Sequence, residues 1–534
     1  MFSGSCFFTN LVAVVVTTIA IVYAFFIWSF QYWKRRGLPH LEPSIPFGNL
    51  PNPITSKTSF GENAKMLYQQ AKARGLKHCG IFIMTKPTWF VLDLELVKHV
   101  FTRDFQFFTD RGFFFNEKDD PIGKSSYIQG EPKSDYKYRD LRNLKRYRDG
   151  AHLIALGGTK WKNLRAKMTP TFTSGKMKMM FQTMVDCGLI LEKYIEEDVA
   201  DKQVIDIKDV LGRFSTDVIG SCAFGLDCNS FKEPNSPFRV YGKKVFQPSI
   251  LDTAKAFFAL TFPDLARTLG MRQIKPDISN FFTKVVEDTI SYRERNNVTR
   301  NDFLQLMIEM KNKKGETAGD GKTLTMNEIV AQSFVFFIAG FETSSTTMTF
   351  ALFELAMHPE IQDKVRAEIK EVLARHDDKI TYDSMNELIY MNQVIDESMR
   401  KYPPLPVLTR VAVENYKVPG EDTVIEKGTM VFLPVIGVHY DEDSYENPEV
   451  FNPDRFSPEN KQKRHPYAHL PFGGGPRVCI GERFGILQAK VGLTSLLKNH
   501  KISLNEKTAV PLVISPTSQI TAADGGVWLN VSKL

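Results

Sequence analysis

The amino-acid sequence predicts a mainly α protein (α+β) with small peripheral β-sheets, preceded by one N-terminal transmembrane helix. Helical periodicity dominates the chain from Trp161 to Arg400. Short apolar runs typical of strands lie before and after that stretch. The third observation is the uncharged apolar run Leu11–Phe30, whose twenty residues are about the length that a helix needs to cross a bilayer.

This apolar run has the features of a retained membrane anchor. The aromatic residues Trp28, Tyr32 and Trp33 stand at its end, and three basic residues follow at 34–36. Because positive charge is retained on the cytosolic side, this order predicts a cytosolic location for the bulk of the chain. The alternative, a cleaved signal peptide, would need a basic start, a shorter apolar core and a small-residue cleavage site, which the run does not show.

The remainder of the chain is expected to form one large unit. Prolines in the segment after the anchor predict a stiff, non-helical hinge, and no Gly/Ser-rich or single-sign linker divides the residues beyond that hinge. A polar, basic stretch within the large unit is expected to be a solvated insertion. The predicted units are an anchor with its basic stop at 1–36, a Pro-rich hinge at 37–50 and a main domain at 51–534 with the atypical insertion at 122–150.

Composition excludes some classes of function. The 534-residue chain has a net charge of +7 and a pI near 8.8. This excess is mild and no nucleic-acid-binding module accompanies it, so no nucleic-acid partner is expected. An anionic membrane surface or an acidic protein partner is the better expectation. Six scattered cysteines are too few for a disulfide framework, and most are expected to be buried.

Several elements can be placed individually. A long helix is predicted from Met326 to His358, with Thr325 and Glu328 as a capping box at its start. The segment Phe246–Met271 is rich in Phe, Leu and Ala, and we expect it to be a loop that dips into the membrane interface rather than buried core. Strands are predicted at Cys79–Met84, at Trp89–Leu92, at Thr429–Pro434 and around Ile514–Leu529.

The strongest local signal is the glycine-rich run Phe472–Gly481, which contains Cys479. Residues 482–497 have helical periodicity, so Cys479 stands just before a helix N-terminus, where backbone N–H groups favour a thiolate. Glycines let the backbone approach a flat macrocycle, and Arg477 could pair with its carboxylates. The run therefore predicts a haem site with the Cys479 thiolate as the iron ligand. A phosphate loop is disfavoured because no Lys-Ser/Thr follows the glycines, whereas a plain turn with a buried cysteine stays an alternative.

Polar residues interrupt the centre of the long apolar helix. Glu342 and Thr343 lie in the run Ala339–Ser345, and such groups are costly at mid-helix unless they have a role. With Gly340 they could loosen the helix and admit water, as proton delivery to dioxygen requires. The alternatives are a second membrane span, which the polar residues oppose, and a threonine that bonds only to its own helix.

Two further pairs of residues lie one helical turn apart. Glu397 and Arg400 have apolar neighbours, which predicts a buried ion pair that Arg455 would join. Trp161 and Arg165 form the second pair, and Arg165 could reach a haem carboxylate. For either pair a solvated helix face is the alternative.

Together these motifs resemble the microsomal cytochromes P-450, in the expected order along the chain. Phe472–Gly481, with Phe472, Gly473, Arg477, Cys479 and Gly481, is similar to the haem-binding signature, and Ala339–Thr343 to the oxygen-activating helix. The resemblance implies that Trp161, Arg165 and Arg410 bind the haem propionates and that Glu397 and Arg400 are structural. The runs Thr171–Met177 and Phe341–Ser345 resemble the insect detoxification branch numbered six. In that branch Pro121 is followed almost directly by the equivalent of Ala151, so residues 122–150 are either a lineage-specific loop or sequence that splicing should have removed.

The resemblance implies a cytochrome P-450 fold and a monooxygenase that inserts one oxygen atom from O2 into lipophilic substrates, such as insecticides, plant toxins, hormones or fatty acids. Haem b would be the cofactor, and Thr343 backed by Glu342 would steer protons. Electrons would come from NADPH through cytochrome P-450 reductase, with cytochrome b5 as an optional second donor, at the endoplasmic reticulum membrane. Basic residues expected to face these acidic partners are Lys160, Lys162, Lys461, Lys463 and Arg464.

Two rival functions would keep the fold. One is the rearrangement of hydroperoxides and the other is a non-enzymatic haem-thiolate sensor, and neither needs the Glu342–Thr343 pair. The apolar runs Phe113–Phe115 and Leu405–Leu408 are expected to line a substrate pocket.

Overall fold

Helices dominate the computed structural model, which describes residues 3–52, 57–116, 122, 152–199, 204–311 and 323–534. Nearly all of the predicted insertion at 122–150 lies outside the described residues. The helices are α1 Ser3–Phe30, α2 Tyr32–Arg35, α3 Phe60–Ala73, α4 Leu94–Lys98, α5 Gly158–Met168, α6 Ser174–Tyr194, α7 Ile207–Phe224, α8 Pro237–Phe246, α9 Ile250–Thr261, α10 Pro263–Thr268, α11 Pro276–Asn296, α12 Phe303–Lys311, α13 Met326–Met357, α14 Pro359–Ala374, α15 Tyr382–Glu387, α16 Ile389–Lys401, α17 Val435–His439, α18 Pro458–Lys463 and α19 Glu482–Leu497.

Small sheets lie around the helices, as predicted. The strands are β1 His78–Ile83, β2 Lys86–Val91, β3 Val204–Asp206, β4 Leu408–Val411, β5 Tyr416–Lys417, β6 Val424–Ile425, β7 Met430–Leu433, β8 His500–Leu504 and β9 Trp528–Lys533. They form sheets in the orders β1-β2-β7-β4, β3-β9-β8 and β5-β6. The β2–β7 pair is parallel and the other pairs are antiparallel.

Three of the four strand predictions are confirmed, and the fourth is mostly wrong. Of the segment Ile514–Leu529, only the last two residues belong to a strand, and Ile514 makes a single bridge to Ala523. Turn residues explain the difference, because Gly525 and Gly526 have φ of +75° and +83°. Backbone in that conformation cannot continue a strand ladder.

The long helix α13 is the centre of the core. Thr325 caps it and forms the predicted capping box with Glu328. Most of its side chains are buried, and it packs mainly against α7, α19 and α16. Because neighbouring helices cover it, α13 is a core helix and not a second membrane span. The capping residues explain why the helix begins at Met326.

The N-terminal helix stands apart from this core. Phe7–Phe30 is exposed along most of its length, and it is the one helix of the described residues that is long and apolar enough to cross a membrane. Its last residue, Phe30, is buried against the domain. The predicted hinge at 37–50 is not a free connector. Its backbone pairs with β1, through hydrogen bonds between Leu41 N–H and Gly80 O (3.0 Å) and between Asn49 N–H and Phe82 O (2.7 Å).

The segment Phe246–Met271 forms helices α9 and α10 rather than an irregular loop. Apolar side chains on these helices remain exposed, including Leu251 on α9 (62% exposed) and Leu265 on α10 (49% exposed). A fully buried core position is therefore excluded for the segment as a whole. The exposed apolar face is consistent with the expected place at a membrane interface.

A buried lysine in α19 leads to a prediction about stability. Lys490 Nζ donates to the carbonyl oxygens of Met385 (2.9 Å) and Leu388 (3.0 Å), and burial lowers its pKa to about 8. A lysine in the unfolded chain has a pKa of about 10.4, so between these values the unfolded state binds more protons and stability rises with pH.

We therefore expect the free energy of unfolding of the wild type to rise by up to about 3 kcal/mol relative to Lys490→Met as the pH rises from 7.5 to 10.5. Thermal unfolding of both proteins in detergent across this range measures the difference. Parallel pH dependences of the two proteins would contradict the assignment.

Candidate active site

Cys479 lies in a loop whose path requires glycine. The N–H of Cys479 donates to the carbonyl oxygen of Phe472 (2.9 Å) and closes the loop. Gly473 and Gly475 have φ of +74° and +66°. A Cβ at Gly475 would stand 1.8 Å from the carbonyl oxygen of Phe101. No other residue fits at Gly475, which explains the glycine run that the sequence shows.

The loop leads directly into α19, as predicted. Gly481 is the N-cap and Glu482 the first helical residue. A Cβ at Gly481 would meet no atom of the described residues closer than 3.8 Å, a ring carbon of Phe172. Cys479 therefore precedes the N-terminal end of a helix by one turn, and Gly481 leaves open space beside it.

Arginine side chains converge on this loop. Arg477 is buried, and its guanidinium lies 4.1 Å over the ring of Trp161. Arg165, one turn from Trp161, donates through Nη1 to the carbonyl oxygen of Val478 (2.9 Å). Trp161 is buried, so this helix face is not a solvated one, and both side chains of the pair contact the cysteine loop.

Two more arginines complete the cluster. Arg111 donates through Nη2 to the carbonyl oxygen of Arg477 (3.1 Å). Arg410 is buried in β4, with its guanidinium 4.7 Å from the ring centre of Phe101. Burial and the charges of Arg111 and Arg477 together hold the pKa of Arg410 well below its usual range, and burial lowers that of Arg477 to about 9. Buried like charges of this kind favour an anionic partner.

Unpaired donors show where such a partner would bind. Among the described residues, Arg410 Nε, Arg477 Nη1 and His152 Nδ1 are buried without a hydrogen-bond partner. An unsatisfied buried polar group costs about 1–3 kcal/mol. Planar guanidinium groups match carboxylates in a two-bond geometry. A thiol next to unpaired, positively charged donors fits a haem group, because the haem iron binds a thiolate and the haem propionates are anionic.

The thiol itself is held between opposing effects. The Cys479 side chain is exposed to the open space beside the loop, yet protein surrounds it on its other sides. This enclosure raises its pKa, whereas the N–H of Gly481 and the charges of Arg111 and Arg165 lower it. The helix N-terminus alone therefore does not ensure a thiolate. A bound metal ion would, since a coordinating thiol loses its proton outright.

Glu342 and Thr343 lie at the middle of α13, and neither is free. The Thr343 hydroxyl donates to the carbonyl oxygen of Ala339. This is the bond to its own helix that was the alternative prediction for Thr343. The Glu342 carboxylate pairs with Lys208, with Oε1 2.8 Å from Nζ. Ala339 is exposed although its helix crosses the core, so this face of α13 opens onto a space inside the protein.

Glu397 and Arg400 form the predicted buried pair. Arg400 Nε and Nη2 donate to the two carboxylate oxygens at 2.7 and 2.9 Å, and both side chains are fully buried. Arg455 lies 3.4 Å from the same carboxylate, and the N–H of Asn452 donates to it (2.9 Å). The carboxylate thus ties α16 to the segment before α18.

Sequence reasoning missed three residues of the site. Arg111 and His152 belong to no local motif, since the cation cluster forms only when distant segments meet at the cysteine loop. His152 lies close enough to Arg111 for burial and this charge to lower its pKa to about 4. Lys208 lies at the second position of α7, where a basic residue gives no signal for a pair with Glu342.

A cysteine on a glycine loop before a helix, set among buried arginines, defines the class of haem-thiolate proteins. Comparison with known families gives the same class, since the sequence model described as cytochrome P450 matches residues 123–525. The chain is 40% identical to the probable cytochrome P450 6a14 of Drosophila melanogaster, over 98% of this chain and 99% of that protein.

Other relatives agree. Identity is 41% to cytochrome P450 6a2 of Drosophila melanogaster, over 95% of this chain and 96% of the relative. The chain is 40% identical to cytochrome P450 6A1 of Musca domestica, over 95% of this chain and 94% of that protein. The chain belongs to the cytochrome P450 family of haem-thiolate monooxygenases and, within it, to the insect family-six branch.

Proposed function

We propose that the protein is a membrane-anchored monooxygenase that oxidises lipophilic compounds, with Cys479 as the ligand of a haem b iron. The observation that carries this proposal is the Cys479 thiol beside buried donors that lack an acceptor. When bound, the haem would supply the binding and reduction of dioxygen. The chain supplies the ligand, the anion-binding groups and the path for protons.

The residues around the cysteine divide this work. The guanidinium groups of Arg410, Arg477 and Arg165 would bind the two propionates. Arg111 and His152 would join them, because one holds the loop of Arg477 and the other presents an unpaired ring nitrogen. Trp161 holds the Arg477 guanidinium over the face of its ring. Phe472, Gly473 and Gly481 would shape the part of the loop that holds the macrocycle.

Turnover separates this proposal from its rivals. Reconstitution with cytochrome P-450 reductase and NADPH should give an oxygenated product from a lipophilic substrate. A protein that rearranges hydroperoxides would turn over without NADPH, and a sensor would bind haem without turnover. The substrate class is inferred from the apolar runs Phe113–Phe115 and Leu405–Leu408, which we propose to line the substrate pocket. Insecticides, plant toxins, hormones and fatty acids are all largely apolar and would suit such a pocket.

Thr343 is proposed to pass protons towards dioxygen, with Glu342 as their source. Its back-bond to Ala339 uses the hydroxyl hydrogen and leaves the oxygen lone pairs free to accept. If the hydroxyl accepted a proton from Glu342 and broke its bond to Ala339, its own hydrogen could pass into the space beside the helix. A hydroxyl is required for this step, whereas any small side chain would suffice for packing.

Thr343→Ala should therefore lower product formation by roughly 10- to 100-fold, at or below the usual contribution of positioned proton donors. Hydrogen peroxide released per NADPH should rise in parallel. Thr289→Ala is a matched control, since Thr289 back-bonds to Val285 O (2.7 Å) in another helix. Equal coupling of NADPH to product in both variants would refute the proton role of Thr343.

Two lysines are proposed to meet the reductase on the cysteine side of the protein. Of the basic residues expected there, Lys461 is paired with Asp396 (2.6 Å), and Arg464 donates to the carbonyl oxygens of Ser444 and Arg455. Lys461 and Arg464 therefore have a structural role. Lys162 and Lys463 are exposed and face solvent. Their charges suit an acidic partner such as the reductase or cytochrome b5.

Reversal of charge at Lys162 and Lys463 should raise the reductase concentration needed for half-maximal turnover about tenfold at low salt, because each rim charge mainly alters association. The effect should shrink in high salt. Lys193→Glu is the control, since Lys193 lies beside the far end of α19 and is 70% exposed. If Lys193→Glu raised the required reductase concentration tenfold and the changes at Lys162 and Lys463 did not, the reductase would not bind on the cysteine side.

The orientation of the protein at the endoplasmic reticulum membrane is also a proposal. The anchor would cross once at 1–36 and leave the monooxygenase domain at 51–534 in the cytosol. Trp33 fixes the end of the anchor to the sheet, as it is buried and its ring N–H donates to Ile81 O (3.0 Å). Arg36 pairs with Glu426 (2.7 Å). The exposed apolar faces of α9 and α10 would then rest in the interface.

A further inference from the structure

A histidine lies directly before the cysteine loop. His469 stands three residues ahead of Phe472, whose carbonyl oxygen accepts the N–H of Cys479 (2.9 Å). The ring of His469 stacks on the ring of His439, with 5.2 Å between the two ring centres. His439 in turn accepts the N–H of Leu470 through its Nε2 (2.8 Å). The His469 side chain is therefore fixed relative to the loop that presents the cysteine.

Of the two stacked histidines, only His469 has a nitrogen free to take up a proton. The Nε2 of His439 accepts from Leu470, and its Nδ1 donates to the carbonyl oxygen of Arg400 (3.1 Å). Both ring nitrogens of His469 are buried and have no hydrogen-bond partner among the described residues. Its Nε2 lies 3.9 Å from Asp396 Oδ1. A proton on His469 would therefore create an imidazolium next to a carboxylate.

Charged groups of both signs surround the ring of His469. Asp396 supplies the negative charge, and its other carboxylate oxygen accepts from Lys461 Nζ (2.6 Å). Lys461 and Arg464 supply positive charge. Burial lowers the pKa of His469, and the two cations lower it further, whereas Asp396 raises it. Because the net shift is downward from a pKa of about 6.5, His469 is neutral at pH 7.

Asp396 connects His469 electrostatically with the helix that follows Cys479. Burial and the charge of Asp396 raise the pKa of Glu482, the first residue of α19. Enclosure and the charge of Glu482 in turn raise the pKa of Cys479. An electron that enters the cysteine site adds a negative charge, which a proton on His469 would offset. Since the coupling between two such events is reciprocal, a proton on His469 would also favour the arrival of the electron.

We propose that His469 is a positioning residue for electron transfer, which takes up one proton from water when one electron enters the site of Cys479. The proton binds the free ring nitrogen, the resulting imidazolium pairs with Asp396, and the electron comes from the reductase, so the step leaves the net charge unchanged. The His469 side chain is 21% exposed, so the proton needs no path through the core. The inference rests on the proposed function, in which Cys479 binds the haem iron.

The test compares the wild type with His469→Gln, His469→Phe and Asp396→Asn. His469→Phe keeps a ring against Phe456, whose ring centre lies 4.6 Å away, so it separates the loss of the titrating group from a loss of packing. His376→Gln is the matched control, a histidine beyond the end of α14 that pairs with Glu387 (2.8 Å). The readouts are the reduction of the purified haem protein by a dye of pH-independent potential, the protons taken up per electron in weakly buffered solution, and the temperature of unfolding.

At pH 5 the equilibrium constant for reduction should be about fivefold larger in the wild type than in either His469 variant, at the lower end of the usual range for coupled events. At pH 8 the three proteins should agree, because His469 is then neutral. Proton uptake per electron should fall in both His469 variants. Asp396→Asn should move the pH dependence to lower pH, since the imidazolium loses its counter-ion. His376→Gln should behave as the wild type.

The same pH dependence of reduction in the wild type and both His469 variants would overturn the inference, even where a variant unfolds at a lower temperature, because a purely structural histidine changes stability alone. If one His469 variant does not retain haem, the other decides. If neither does, Asp396→Asn decides, since an unshifted pH dependence would contradict the proposal. Failure of the proposed function is a separate result, in which the reduced wild type under carbon monoxide lacks the thiolate-type Soret band.

Discussion

Glu397→Ala should destabilise the protein by about 3–5 kcal/mol and prevent most of it from retaining haem. Removal of this carboxylate leaves the Arg400 guanidinium charged, fully buried and without its ionic partner. A loss of this size is a large fraction of the usual 5–15 kcal/mol of stability of a folded protein. It also deprives the N–H of Asn452 of its acceptor and removes the charge that pairs with Arg455. Thermal unfolding and the haem-to-protein ratio measure the effect.

A surface pair provides the control. Glu371 pairs with Arg375 one helical turn away, at 2.7 Å, but its side chain is 75% exposed. Glu371→Ala should cost no more than about 1 kcal/mol. Replacement of the buried pair by Leu and Met should recover part of the loss, since no unpaired charge remains. Equal unfolding temperatures for Glu397→Ala and Glu371→Ala would show that the buried pair does not support the fold.

Cys479→Ala should abolish turnover with reductase and NADPH and reduce retained haem to a small fraction of the wild-type amount. The change removes the only group at this loop that we assign to the iron, while the propionate-binding arginines remain. Haem that still binds should have an altered absorption spectrum. Cys187→Ala is the matched control, a buried thiol in α6 whose pKa burial raises well above the ordinary value. Full turnover by Cys479→Ala would remove the basis of the assignment.

The sequence was informative wherever a local rule determines the structure. The capping box at Thr325 and Glu328 and the stop at His358-Pro359 place the ends of α13 within one residue. The glycine run around Cys479 indicates its loop because a side chain at Gly475 would strike backbone. The spacing of Glu397 and Arg400 places both groups on one helix face. In each of these cases the signal and the structure lie within a few residues.

Contacts between distant segments explain most of the features that the sequence did not reveal. The cation cluster unites Arg111, Arg410 and Arg477 from three parts of the chain, and no spacing rule relates Arg111 to the other two. Likewise, the pairing of Glu342 with Lys208 joins α13 to α7 across more than a hundred residues. Local chemistry gave a wrong prediction near Ile514, where apolar residues indicated strands and the turn glycines prevented them.

The most direct test of the sulfur–iron bond at Cys479 is the absorption spectrum of the reduced, purified protein under carbon monoxide. Haem held by the Cys479 thiolate would give its Soret band under carbon monoxide at the long-wavelength position that distinguishes this class from haem proteins with a histidine ligand. We expect that shifted band in the wild type and its loss in Cys479→Ala. A wild-type band at the histidine-type position, in protein that still turns over, would contradict the account.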